Sequence, residues 1–209
     1  GIFGVFDARE RSVLPTAEVM AQRLCQFPTQ YVEQYCSSTQ VEVVGRVGIG
    51  IYNTTPQPVW NEAQTAAVVL AGRLIREPGI SADNSQQSDP SFVLDLYQQY
   101  GEAFCAHLRG SFAVAVYDHL RRQVIVASDR MGTFPIYYAH RSGRFLFAPN
   151  QHLLLCDPTI PADLDFSALA QYMRFQQLLH DTSFFAHIKL LRGGRRLIYD
   201  IKHDQLADS

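Results

Sequence analysis

The amino-acid sequence predicts an α+β domain whose sheets are antiparallel. Short apolar runs rich in β-branched residues recur along the chain, and brief polar turns join several of them. A few helical segments interrupt these runs without the regular strand-helix alternation that indicates a parallel sheet. With 209 residues, the chain is long enough for one domain with a substantial core.

The composition argues against several classes of protein. Hydrophobic residues make up 47% of the chain and charged residues 18%, with a net charge of -2, so neither disorder nor a nucleic-acid surface is expected. No apolar run approaches the roughly 20 residues that span a bilayer, and we expect no membrane partner. The cysteines and histidines lack metal-binding spacing. We therefore expect no metal site, and reduced thiols in a cytoplasmic protein.

The first elements are a strand and a helix. An apolar run over residues 1–7 predicts a buried strand. Pro15 opens a segment of approximate helical period that extends to about residue 34, and Pro28 is expected to interrupt that helix.

The next elements are two strands, a loop and a long helix. β-Branched residues punctuated by glycine predict strands over 41–52 and 66–71. The polar stretch 77–88 contains glycine and proline and is predicted to be a loop. A helix is expected over 89–108, restarting near Gly101, with Asp89 as its N-cap.

The second half of the chain predicts an antiparallel meander followed by one helix and one strand. Its helix is expected over 165–175 and its final strand over 195–200. The four meander strands are expected over 111–117, 123–128, 135–139 and 144–148.

Several segments, in their order and spacing, resemble the class II glutamine amidotransferase domain of the asparagine synthetase family. The resemblance covers residues 1–200 and leaves 201–209 as a polar tail or the start of a linker. The segments that carry it are GIFGVFD, Ser88-Asp89 before a helix ending in YGEAF, RGSFAVAVYD, VASDRMGTFPIYYA, GRFLFAPNQHLL, LDFSALAQYMRF and FFAHIKLLRGGRRLIYD.

The resemblance implies an N-terminal nucleophile hydrolase fold, a four-layer αββα sandwich of two antiparallel sheets flanked by helices. In that family a cysteine directly before the Gly-Ile-Phe-Gly strand attacks the amide carbon of glutamine, and its own α-amino group acts as the base. The nucleophile position would directly precede Gly1, so no catalytic residue is assigned within the chain. The family passes the released ammonia to an ATP-dependent synthetase domain.

Two substrate-binding elements of the family are altered here. Its Asn-Gly-Glu oxyanion hole matches Ala71-Gly72-Arg73, where the Gly72 N–H can still donate but the Ala71 side chain cannot. Its carboxylate-binding arginine matches Gly48, and Arg46 is two positions away on the same strand face.

Two further matches concern acidic residues. Asp89 matches the aspartate that holds the substrate ammonium group, although a helix N-cap would equally explain an aspartate there. The SDRMG motif contains Asp129 and Arg130, which we expect to form an internal ion pair that supports the following turn.

Three hypotheses follow. The favoured one is a degenerate glutamine amidotransferase-like domain that acts as a structural or docking partner of an ATP-dependent amide-forming domain. The second is an active glutaminase half of an enzyme of asparagine biosynthesis, whose cysteine precedes Gly1. The third is a stand-alone binding module.

The expected partners lie outside this chain. The chain lacks the S-G-G-x-D-S type of ATP-pyrophosphatase motif. ATP and Mg²⁺ are therefore expected only on a separate synthetase domain, beyond Ser209 or on another chain, and no cofactor is expected here. Glutamine binding and a homodimer remain open.

Overall fold

Two antiparallel sheets of six strands each make up the centre of the computed structural model, which describes residues 1–49, 55–76 and 87–209. The strands are β1 Ile2–Asp7, β2 Gln30–Cys36, β3 Glu42–Ile49, β4 Val59–Trp60, β5 Ala66–Leu74, β6 Gly110–Asp118, β7 Gln123–Ser128, β8 Tyr137–Arg141, β9 Arg144–Ala148, β10 Lys189–Leu190, β11 Arg196–Asp200 and β12 Gln205–Asp208. The first sheet has the strand order β10-β8-β9-β1-β3-β2, and the second has the order β12-β11-β7-β6-β5-β4.

Helices cover the outer face of each sheet. The helices are α1 Leu14–Leu24, α2 Asp89–Tyr100, α3 Gln151–Leu154 and α4 Phe166–Phe175, and a 3₁₀ helix, Gly101–His107, follows α2. Residues of α1 and α3 pack on the first sheet, whereas α2 and the 3₁₀ helix pack on the second. None of the helices in the described residues is long and apolar enough to cross a membrane.

The alternation of side chains along each strand produces this layering. In β5, Val69 faces the first sheet, while Val68 and Leu70 face α2. An aromatic group that includes Phe6 and Tyr117, with ring centroids 5.9 Å apart, fills the space between the sheets. The expected four-layer αββα sandwich is confirmed.

The expected helix over residues 15–34 is wrong in its second half. The helix ends at Leu24, and Gln30–Cys36 form β2, which pairs with β3 along its whole length. The helix ends four residues before Pro28, so the expected interruption near this proline is found, but no helix resumes after it. The residues beyond Pro28 instead take their conformation from hydrogen bonding to β3, which follows β2 after the short connection 37–41.

Other elements differ from the expectations at their ends. The predicted strand 66–71 continues to Leu74. Part of the predicted strand 41–52 and most of the predicted loop 77–88 lie outside the described residues. Residues 205–208, expected within a polar tail, form strand β12 at the edge of the second sheet, where they pair with β11.

Candidate functional site

The candidate site lies where the start of β1 meets β3. Ile2 pairs with Arg46 across the two strands, and the Gly1 amine donates to the Val47 carbonyl oxygen at 3.0 Å. Burial and the Arg46 charge lower the pKa of the Gly1 amine. The structure therefore places Arg46 beside the first residue of the chain.

Arg46 is buried on the face of β3 that points toward the second sheet. Val44, two residues earlier, belongs to the core between the sheets, and side chains two apart in a strand share a face. The Arg46 guanidinium makes two internal contacts. Its Nε lies 2.7 Å from a Glu33 carboxylate oxygen, and its Nη2 donates to the Thr55 carbonyl oxygen at 2.7 Å.

Glu33 is a residue of the candidate site that the sequence analysis missed. It lies in β2, directly opposite Arg46 in the β2–β3 register. The segment was expected to be helical, so its sequence gave no reason to pair this glutamate with Arg46. A strand assignment for residues 30–36 would have been the necessary signal.

Gly48 also faces the second sheet, but another side chain covers it. A Cβ atom added at Gly48 would lie 3.1 Å from the Tyr31 ring. A long side chain at this position would have to displace Tyr31. Both positions are buried near Gly1, but Tyr31 fills the space beside Gly48, whereas Arg46 supplies a charged side chain.

The oxyanion-hole match, Ala71-Gly72, lies on β5. The Ala71 methyl group packs against the core between the sheets, and β5 contacts both β1 and β3 across that interface. Gly72 has a φ of +105°, and a Cβ there would lie 2.1 Å from the Ser111 carbonyl oxygen. Only glycine fits this backbone, whereas the neighbouring Ala71 side chain offers no hydrogen-bond donor.

Asp89 is not the N-cap of α2. That place is taken by Ser88, whose hydroxyl oxygen accepts from the Ser91 N–H at 3.4 Å. The Asp89 carboxylate instead accepts from the Leu74 N–H at 3.0 Å and lies 3.3 Å from an Arg76 guanidinium nitrogen. Asp89 therefore connects the start of α2 to the end of β5.

The expected ion pair between Asp129 and Arg130 is wrong. The Asp129 carboxylate accepts hydrogen bonds from the N–H groups of Phe112, Met131 and Thr133. It supports the turn through the backbone, while Arg130 is exposed. The side chains of adjacent residues in a turn point away from each other. Two opposite charges next to each other in the sequence therefore do not predict an ion pair.

The cysteines offer no substitute nucleophile in the part of the chain that the structure describes. All four are free thiols. Cys105, in the 3₁₀ helix, is half-buried, and its desolvation raises the pKa of the thiol to about 12. A neutral thiol is a weak nucleophile, and none of these cysteines carries a free α-amino group.

A four-layer αββα sandwich of two antiparallel sheets is the N-terminal nucleophile hydrolase fold, and this chain has that fold. A solved structure, glutamine phosphoribosylpyrophosphate amidotransferase from Bacillus subtilis, shares this fold. It matches with a TM-score of 0.61 and 12% identity, over all of this chain and 48% of that one.

The family is more specific than the fold. Residues 1–208 match the glutamine amidotransferase domain family, and the chain belongs to that family. Two relatives are amidase chry2 of Gibberella zeae, 30% identical over 74% of this chain, and asparagine synthetase B [glutamine-hydrolyzing] of Escherichia coli, 27% identical over 66%. The matches cover 24% and 26% of these two relatives, so the chain spans about a quarter of their length.

Proposed function

We propose that this domain is degenerate for glutamine hydrolysis and serves as a structural or docking partner of an ATP-dependent amide-forming domain. The observation that carries the proposal is the pairing of Arg46 with Glu33. The cation expected to bind the α-carboxylate of glutamine already holds an internal carboxylate at 2.7 Å. A substrate carboxylate would have to displace Glu33 from a site that is almost closed to water.

The remaining candidate groups support the same proposal. Asp89, the match for the ammonium-binding aspartate, is engaged by Leu74 and Arg76. The Ala71 side chain cannot stabilise the oxyanion that forms during amide hydrolysis. The binding of glutamine and the hydrolysis of its amide would thus both be impaired, and by independent changes.

Position 1 itself has little room for a side chain. A Cβ at Gly1 would lie 2.8 Å from Pro149 Cγ. A side chain at position 1 would therefore require Pro149 to move. By the β1–β3 register, a residue placed before Gly1 would lie opposite Gly48. An active form would need its cysteine there.

The docking role rests on α4. This helix buries only one residue, Ala168. Six large apolar side chains on or next to it are 39–76% exposed, more than single scattered residues on a monomer surface. They are Leu164, Phe166, Leu169, Tyr172, Met173 and Phe175.

We assign this surface to an amide-forming domain, because about three quarters of a relative named as a glutamine-hydrolyzing asparagine synthetase lies outside the matched region. ATP and Mg²⁺ would be bound there. When the two units are mixed as separate chains, replacing Phe166 and Met173 by Lys should abolish their co-elution, and unchanged co-elution would contradict this docking surface.

Glutamine binding tests the degenerate site. Titration calorimetry with L-glutamine should show no binding to the unaltered chain. Glu33→Gln removes the internal carboxylate and should let Arg46 bind the amino acid at millimolar concentrations. Glu62→Gln, an exposed carboxylate elsewhere, is the matched control and should behave like the unaltered chain. Binding of glutamine to the unaltered chain with the same affinity as to Glu33→Gln would refute self-occupation of Arg46.

A further inference from the structure

A cavity of about 430 Å³ lies between the 3₁₀ helix, the turn after β7 and the start of β11. Its lining differs from that of the candidate glutamine site. Four arginines from three separate segments line it: Arg109, Arg130, Arg195 and Arg196. Asp129 is the acidic side chain among the lining residues. The cavity is therefore strongly positive.

Among the described residues, carboxylates neutralise little of the charge of Arg130, Arg195 and Arg196. The Asp129 oxygens are used by backbone N–H groups, including those of Phe112 at 3.0 Å and Met131 at 2.8 Å. Arg195 lies 3.0 Å from Asp208, but both side chains are more than two-fifths exposed. An ion pair so open to water is weak and can be exchanged for a ligand.

Two of the arginines have their charge uncompensated by a carboxylate in the described part of the chain. The Arg196 guanidinium donates to the Ser209 hydroxyl oxygen at 2.9 Å and to the Glu102 carbonyl oxygen, both neutral acceptors. Arg130 makes no side-chain hydrogen bond or ion pair with any described residue. Its guanidinium is therefore available to an anion.

The backbone that presents Arg130 is fixed. The Gly194 N–H donates to the Asp129 carbonyl oxygen at 2.8 Å, and a Cβ at Gly193 would lie 2.6 Å from the Arg130 carbonyl oxygen. Ser128, two residues before Arg130, lines the cavity. Its hydroxyl oxygen is buried without a hydrogen-bond partner among the described residues. A buried hydroxyl with no partner is costly unless a ligand or water satisfies it.

We propose that this cavity binds a small molecule carrying two or more phosphate groups. Guanidinium groups form strong, often bidentate hydrogen bonds with phosphate oxygens. Arginines that approach from several segments suit a tetrahedral anion better than a planar carboxylate, which one arginine can satisfy. The volume lies within the range of small-molecule sites, about 300–1,000 Å³. This site is independent of the proposed loss of glutamine hydrolysis.

Calorimetric titration of the 209-residue chain with inorganic pyrophosphate, at constant ionic strength, tests the proposal. We expect saturable binding at one site. Arg130→Gln should weaken it about tenfold, and Arg130→Lys, which keeps the charge but loses the planar fork, by less. Arg174→Gln, on α4 and outside the cavity, is the matched control and should leave the affinity unchanged.

Three outcomes would overturn the proposal. One is the absence of saturable binding up to about 10 mM pyrophosphate. Another is an equal loss of affinity in Arg130→Gln and Arg174→Gln, which would indicate attraction by overall surface charge. The third is binding of citrate as tight as that of pyrophosphate, because the site would then not select phosphate groups. Circular dichroism of each variant verifies that it is folded.

Discussion

A cysteine added directly before Gly1 should produce no more than trace glutamine hydrolysis, and the additional change Ala71→Asn should raise that rate by about two to three orders of magnitude. The cysteine supplies a thiol and an α-amino group, but the tetrahedral intermediate would still lack a side-chain donor at position 71. The backbone N–H of Gly72 alone would have to stabilise the oxyanion. Glutamate release at one fixed, high glutamine concentration measures both rates.

The controls for this experiment separate chemistry from folding. Ala71→Leu in the chain with the added cysteine changes the same position without adding a donor and should give no gain. Thiol alkylation should abolish any activity that appears. Full activity from the added cysteine alone would show that the oxyanion hole does not need a donor at position 71, and the degenerate hypothesis would fail.

Arg144→Met should lower the free energy of unfolding by about 3–5 kcal/mol. Arg144 is buried at the start of β9, where its guanidinium lies 3.0 Å from Asp7 and 3.5 Å from Asp157. Both carboxylates are fully buried. Removal of this cation would leave the buried Asp157 carboxylate without an ion pair in the described residues and would leave Asp7 with Arg11 alone. Denaturant unfolding monitored by fluorescence gives the difference.

A matched exposed pair provides the control for Arg144. Arg121 lies 3.8 Å from Asp118 but is 61% exposed, so Arg121→Met should cost about 1 kcal/mol or less. Equal losses of unfolding free energy in the two variants would show that the buried cluster stabilises the fold no more than an ordinary surface ion pair does.

The same cluster should make stability depend on acid pH. Burial by itself would raise the pKa of Asp7, but hydrogen bonds from Arg11 and Arg9, together with the Arg144 charge, lower it below the usual value. The stabilisation is then complete above about pH 4 and is lost as the pH falls through the lower folded-state pKa. Asp7→Asn should reduce this dependence on pH.

The sequence was informative where local pattern and tertiary structure agree. The apolar run 1–7 forms a buried central strand, and the Asp165 side chain caps α4, with its carboxylate accepting from the Ser167 and Ala168 N–H groups. These features depend on residues close together in the chain. The family resemblance then added the layer arrangement, which periodicity alone could not specify.

The missed features depend on contacts with another strand rather than on the local residue pattern. Strand β2 exists because β3 pairs with it, and Glu33 matters because that pairing places it opposite Arg46. The role of Asp89 similarly depends on the end of β5. A sequence motif can mark such positions, but only the fold shows whether their charges are free for a ligand or already used.

The most direct test of the central claim is a glutaminase assay on the natural protein with its own N-terminus, with intact mass measured on the same sample. We predict no glutamate release above the rate without protein and no labelling by a thiol-alkylating glutamine analogue. A mass that includes a cysteine before Gly1, with labelling and glutamate release, would contradict the account and identify an active glutaminase.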